Sequence, residues 1–179
     1  MTVKPSTENT PTQIQSSGRA FGKSAQKDIQ VVEFLLGKEH FAIDLFDVKE
    51  VVEYTSITKI PNTPPYVKGI IDLRGEITTI VDLKQRLNIN EAGNVVVEAS
   101  RIIVLDEKIT HSKMGILVDD VSSVSMFEMS QVDTTSESVN EDDTSILGII
   151  KKKVNIKDKE VSELIIWIDI KPLVKDIRM

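Results

Sequence analysis

Three short motifs occur twice in this chain, in the same order. Asp47-Val48-x-x-Val51 returns as Asp120-Val121-x-x-Val124, Gly69-Ile70-Ile71 as Gly148-Ile149-Ile150, and Ile80-Val81-Asp82-Leu83 as Trp167-Ile168-Asp169-Ile170. The spacing between copies widens along the chain, as loops of the second copy lengthen at the surface. The repeated residues are strand formers: 20 Val and 23 Ile make 43 of 179 residues β-branched aliphatics. The expectation is a mainly β protein of two similar lobes. Each lobe, at about 70–80 residues, needs its neighbour's surface for stability.

Turn residues divide the apolar runs. Val31–Leu36 and His40–Ile43 form a hairpin about Gly37-Lys38, and Asp44 opens a short helical turn over Leu45–Val48. Pro61, Pro64 and Pro65 make a rigid connection. A tight hairpin follows, Gly69–Leu73 and Glu76–Val81 about Arg74-Gly75, with Gly75 supplying the positive φ such turns demand. Asp82 caps a short helix to Leu87, with Gln85 at the reciprocal position. After a polar break at 88–94, strands are expected at 101–105, 115–118, 123–127, 146–150 and 164–168. Asp169 then caps a closing helix with Pro172 in its first turn. Residues 1–29 read as a flexible polar tail, and 133–144, with five acids and no base, as a solvated loop.

Composition removes several function classes. With 22 basic and 28 acidic side chains, a net charge of −6 and 4% aromatics, the chain lacks the basic, stacking surface of a nucleic-acid binder. It has no cysteine, so disulfides and thiolate chemistry are excluded and a reducing cytoplasm is the expected compartment. Neither a membrane-spanning run nor a secretory signal is read, so no direct membrane insertion is expected.

The search for chemistry finds no P-loop, no dinucleotide fingerprint and no metal motif. His40 and His111 stand in hairpins without a second ligand type at metal spacing. Asp119 and Asp120, adjacent on a strand, point to opposite faces and do not converge on one substrate. Lys151-Lys152-Lys153 reads as a solvated turn at a strand end, and Met126, Met129 and Trp167 as core. No enzyme and no cofactor are expected.

One arrangement stands out: Arg74 at the tip of a short turn, where a guanidinium meets a carboxylate at little ordering cost. Around it the sequence resembles the CheW-type coupling proteins of bacterial and archaeal chemotaxis. The resemblance rests on Phe34-Leu35-Leu36-Gly37, Phe41-Ala42-Ile43-Asp44 and Val48-x-Glu50-Val51. It continues through Ile57-Thr58-x-x-Pro61-Asn62-x-Pro64, Val67-x-Gly69-Ile70-Ile71-x-Leu73-Arg74-Gly75 and Ile80-Val81-Asp82-Leu83. Gly115-Ile116-Leu117-Val118-Asp119-x-Val121, Gly148-Ile149 and Ile168-Asp169 complete it, so that it covers about residues 30–178.

This resemblance implies two small five-stranded β-barrels packed together, about 30–95 and 100–178, with short helices and a C-terminal helix. It implies a non-enzymatic adaptor that joins the cytoplasmic tips of methyl-accepting chemotaxis receptors to the regulatory domain of the histidine kinase CheA. By the same resemblance Val48, Glu50, Val51, Asp72, Arg74 and Val121 belong to the receptor-binding face, and Gly69 and Gly75 to structural turns. For the valines, plain core packing is the competing assignment. The receptor's helical hairpin would enter an apolar groove. Two positions depart from the family pattern. Asp72 replaces the usual Asn and is expected near Arg74, either holding the guanidinium or competing with a receptor carboxylate. Thr79 stands where Pro is common and restores an N–H donor. The alternatives are an adaptor of a non-motility chemosensory system and a β-barrel ligand- or nucleic-acid-binding module.

Overall fold

The computed structural model describes residues 27–90, 96–134 and 145–177. Most of the tail, the core of the polar break and the acidic loop from 135 onward therefore lie outside the described residues. Eleven strands run in chain order: β1 Ile29–Leu36, β2 Glu39–Asp44, β3 Val48–Glu53, β4 Val67–Leu73, β5 Glu76–Asp82, β6 Arg101–Leu105, β7 Met114–Val118, β8 Asp120–Phe127, β9 Val132–Asp133, β10 Ile146–Ile156 and β11 Lys159–Ile168. Three short helices, α1 Leu83–Arg86, α2 Glu107–Thr110 and α3 Ile170–Val174, each begin at an aspartate, Asp82, Asp106 and Asp169. Each of these carboxylates accepts a hydrogen bond from a first-turn N–H, satisfying a donor that the helix leaves free.

The strands form a six-stranded sheet, β8-β1-β2-β11-β10-β9, and a five-stranded sheet, β3-β6-β7-β5-β4. Two small β subdomains are present, but neither sheet closes into a full barrel. The sheets also do not divide at the break between 95 and 100. Hairpin β1–β2, from the first half, lies in the sheet of the second half, and hairpin β6–β7 lies in the sheet of the first.

The duplication explains this exchange. β8, β1, β2, β11 and β10 pair antiparallel, antiparallel, parallel and antiparallel, and β3, β6, β7, β5 and β4 repeat that series. Each half thus contributes hairpin, strand, hairpin and helix, and the two halves trade their first hairpins. Even the irregularities match. A bulge sits between Val67 and Gly69 on β4 and another between Ile146 and Gly148 on β10, so that Gly69 faces Ile80 and Gly148 faces Trp167.

Both bulge glycines are required by a crossing segment. At Gly69 (φ +146°) a Cβ would run into the Thr58 carbonyl; at Gly148 it would lie 2.9 Å from that of Asp133. Gly69 is therefore a close-approach residue within a strand and not part of a turn. Residues 58 and 133 are themselves equivalent, bridging to Ile70 and Ile149.

Burial follows the pleat. One face of each sheet holds a small cluster of its own: Ile29, Val31, Ala42, Phe127, Ile150 and Ile165 in the larger sheet, and Ile71, Ile80, Ile102 and Val104 in the smaller. The opposite faces meet on the principal core, where Val32, Phe34, Leu36, Phe41 and Ile43 pack with Ile103, Leu105, Met114, Ile116 and Val118, and α3 adds Ile170, Leu173 and Val174. The phenyl rings of Phe34 and Phe41 stack there, 6.1 Å apart. Most of the buried apolar side chains belong to this shared core, in keeping with the small size of each lobe.

Three expectations are corrected. Lys151–Lys153 lie within β10, whose turn comes later at Lys157-Asp158. Met126 is 58% exposed, on the outward side of edge strand β8, whereas Met129 and Trp167 do pack on the larger sheet's cluster. His111 does stand in a hairpin, in the β6–β7 connection, where it ends α2 in a left-handed conformation. Asp119 is a structural clamp where the chain crosses between sheets, accepting from the Gly37 N–H at 2.6 Å and pairing with buried Lys84 at 2.8 Å.

Candidate functional site

The β4–β5 hairpin closes on two residues, Arg74 (φ +53°) and Gly75 (φ +83°). Positive φ at both centres defines a type I′ turn, whose twist suits the flanking strands. Glycine adopts that conformation freely, whereas an arginine there costs about 1–2 kcal/mol. Asp72 helps hold the turn, its carboxylate accepting the Gly75 N–H at 2.7 Å. Asp72 is thus committed to the backbone and does not hold the guanidinium.

Glu50 does so instead: Arg74 Nη2 donates to Glu50 Oε2. Glu50 stands on β3, one edge of the smaller sheet, and Arg74 follows β4, the other edge. The ion pair links edge strands that do not pair directly, and the Thr58–Ile70 bridge ties β4 to the segment that follows β3. Arg74 is 66% exposed, so the pair contributes about 0–1 kcal/mol and exchanges readily for another carboxylate.

Beside this pair lies a cleft of about 230 Å³, walled by Leu73, Thr78, Val104 and Leu105 and rimmed by Lys49, Glu50, Arg74, Glu76, Glu107 and Lys113. The rim is an alternating chain of charges. Lys113 pairs with Glu76 and, at 3.7 Å, with Glu107, which also meets Lys49 at 3.4 Å. The hydrogen bond from Lys113 pulls the Glu76 carboxyl below its ordinary value, and that same bond raises Lys113. The expected groove is therefore apolar only at its floor. Its volume is below the roughly 300–1,000 Å³ of small-ligand pockets and suits one anchoring side chain. Thr79 uses the N–H that a proline would lack, donating to the Lys113 carbonyl at 3.0 Å.

The structure thus brings together Glu50, Asp72 and Arg74. Val51 is 41% exposed on the same strand as Glu50, while Val48 is half-buried against the principal core. Val121 takes in β8 the place that Val48 takes in β3: Val48 faces Leu105, Val121 faces Phe34, and each adjoins a bulge. The Lys49–Glu107–Lys113–Glu76 chain was not foreseen, because its members come from four segments with no shared motif.

Among the described residues no cluster of acidic or histidine side chains could hold a metal ion, and no helix is long and apolar enough to cross a membrane. A β-rich scaffold with a charged, single-side-chain cleft belongs to the class of protein-docking modules. The CheW-like domain family matches residues 30–178, and the chain belongs to that family. It is 30% identical over 125 residues to the chemotaxis protein CheW of Bacillus subtilis, covering 69% of this chain and 78% of that protein. It is 35% identical over 114 residues to the CheW of Treponema pallidum, covering 62% and 64%. Among solved structures, the scaffolding protein TtCheW of Thermoanaerobacter tengcongensis superposes with a TM-score of 0.66 at 36% identity, covering 82% of this chain and 92% of that one. The chain is accordingly a chemotaxis coupling adaptor and not an enzyme.

Proposed function

We propose that this adaptor joins the cytoplasmic tips of methyl-accepting chemoreceptors to the regulatory domain of the kinase CheA, in arrays at the inner face of the membrane. The observation that carries the reading is Arg74, held on a strained turn beside a side-chain-sized cleft and paired with an exchangeable partner, Glu50. A receptor helix would place one apolar anchor in the cleft and a carboxylate on Arg74. Glu50 flanks that contact, Val51 points to the opposite face of β3, Val48 supports the strand from the core side, and Val121 lies on the corresponding strand of the other sheet. Asp72 acts by fixing the turn. If each partner bound at micromolar strength, each contact would be worth about 8 kcal/mol.

Parallel pull-downs test this reading. Arg74→Glu should lose a receptor-tip fragment and keep the kinase regulatory domain. Retention of both partners would contradict the assignment of Arg74, and equal loss of both would mean misfolding.

A further inference from the structure

The match between the two sheets extends to the hairpin tips and exposes one large difference. Because Gly148 corresponds to Gly69 and Trp167 to Ile80, Lys153 and Ser162 occupy the positions of Arg74 and Gly75. In the smaller sheet the chain turns there. In the larger sheet it runs on through Val154–Val161, turning only at Lys157 and Asp158, both at positive φ. The result is a two-stranded arm that extends past its neighbours, since β9 pairs with β10 only at Ile149 and Ile150, and β2 meets β11 only from Ile165. Beyond Lys151 the outer edge of β10 has no strand beside it among the described residues.

The two faces of the arm differ in chemistry. Alternation puts Val154, Ile156 and Val161 on one face, with Ile156 55% and Val161 44% exposed. Lys151 and Lys153 share the other, beside Leu164, while Lys159, opposite Ile156, borders the apolar face at its tip. Lys153 pairs with Glu160 at 3.0 Å, whereas Lys151, Lys157 and Lys159 have no ion-pair partner among the described residues. This basic, edge-exposed ribbon belongs to a chain of net charge −6.

We propose that the arm is a second docking element, which adds an extended acidic segment of a partner protein to the free edge of β10. Main-chain groups of that edge supply the pairing, and the two faces set the pattern. Acidic residues of the added strand, at alternate positions, meet the lysine face, and apolar residues between them cover Val154, Ile156 and Val161. A second copy of this arm is disfavoured, because it sets lysine against lysine, the common defence of edge strands. A lipid surface is disfavoured too, because hydrocarbon offers no partners to the exposed N–H and C=O groups.

The probe is a fluorescent peptide of alternating Asp/Glu and Val/Ile, titrated against the full chain and followed by anisotropy. Binding is expected to weaken roughly tenfold or more in the charge-reversal variant Lys151→Glu/Lys153→Glu, which keeps the ribbon. Comparable loss is expected on N-methylation of alternate peptide bonds in the probe, which removes main-chain donors and leaves charge intact. Deletion of Val154–Val161, joining Lys153 to Ser162, should abolish binding. Equal binding by a scrambled peptide of the same composition, by anionic vesicles or by DNA would overturn the proposal in favour of an unspecific basic patch. Arm-dependent dimerisation in sedimentation without peptide, or no binding of the peptide, would overturn it as well.

Discussion

Arg74 reaches from the tip of the β4–β5 hairpin to Glu50 on β3, tying together the two edge strands of the five-stranded sheet. The tie is exposed and weak, and the turn that carries it is strained. Both facts point to a side chain kept for what it meets outside the molecule, since strain of this kind persists where function requires it.

That separation of stability from function can be measured. Asn prefers the left-handed position that Arg74 occupies, and Asn-Gly is a favoured type I′ pair. Arg74→Asn should therefore hold or raise the melting temperature while losing the receptor-tip fragment. A melting temperature several degrees lower would show that the fold itself depends on the Glu50 tie.

The bulge glycines give a second test. Gly69→Ala forces a Cβ into a backbone carbonyl at positive φ, and Gly148→Ala meets Asp133 O at 2.9 Å without the φ penalty. Both should destabilise, Gly69→Ala by about 3 kcal/mol or more and Gly148→Ala by less. Urea unfolding of the two variants reads the order directly.

Equivalence between the sheets predicts a rescue. Glu33, 1% exposed, is held by Lys152 at 2.9 and 3.1 Å, and the positions matching this pair in the smaller sheet are Val104 and Leu73. Lys152→Leu alone leaves a buried charge uncompensated and should cost about 3–5 kcal/mol. Glu33→Val with Lys152→Leu copies the apolar pair and should recover that loss in the same unfolding assay.

Two carboxylates should give opposite pH slopes. Burial, opposed by Lys171 and reinforced by Asp44, Asp169 and Asp106, raises the Asp47 pKa above its ordinary 3.8. The folded state then binds the proton more tightly than the unfolded one, so stability falls as pH rises from 3.8 through the raised value. Asp47→Asn, which cannot titrate, should gain on the wild type across that window. Glu76, lowered from 4.5 by its bond to Lys113, contributes stability above 4.5 that is lost as pH falls through the lowered value. Glu76→Gln should flatten that acid limb in thermal melts at stepped pH.

Local signals were legible in the sequence. The hairpins about Gly37 and Gly75, the caps at Asp44, Asp82 and Asp169, and the three repeated motifs all appear where their residues indicate. The exchange of first hairpins was not legible, because runs such as Val31–Leu36 and Arg101–Leu105 pair equally well with either sheet. Met126 was misplaced because alternation names two faces without saying which is buried, and a shift of one residue reverses them. Lys152 looked solvated because its partner, Glu33, is 119 residues away in sequence. At the site, Arg74 was readable from turn chemistry, whereas its tie to Glu50 depends on where two edge strands approach each other.

Co-sedimentation with receptor-tip assemblies tests the central claim most directly. The kinase regulatory domain should pellet only when this chain is present, and Arg74→Asn should leave the kinase bound to the chain in the supernatant. If Arg74→Asn carries the kinase domain into the pellet as well as the wild type does, the receptor contact lies elsewhere and the coupling mechanism argued from Arg74 is wrong.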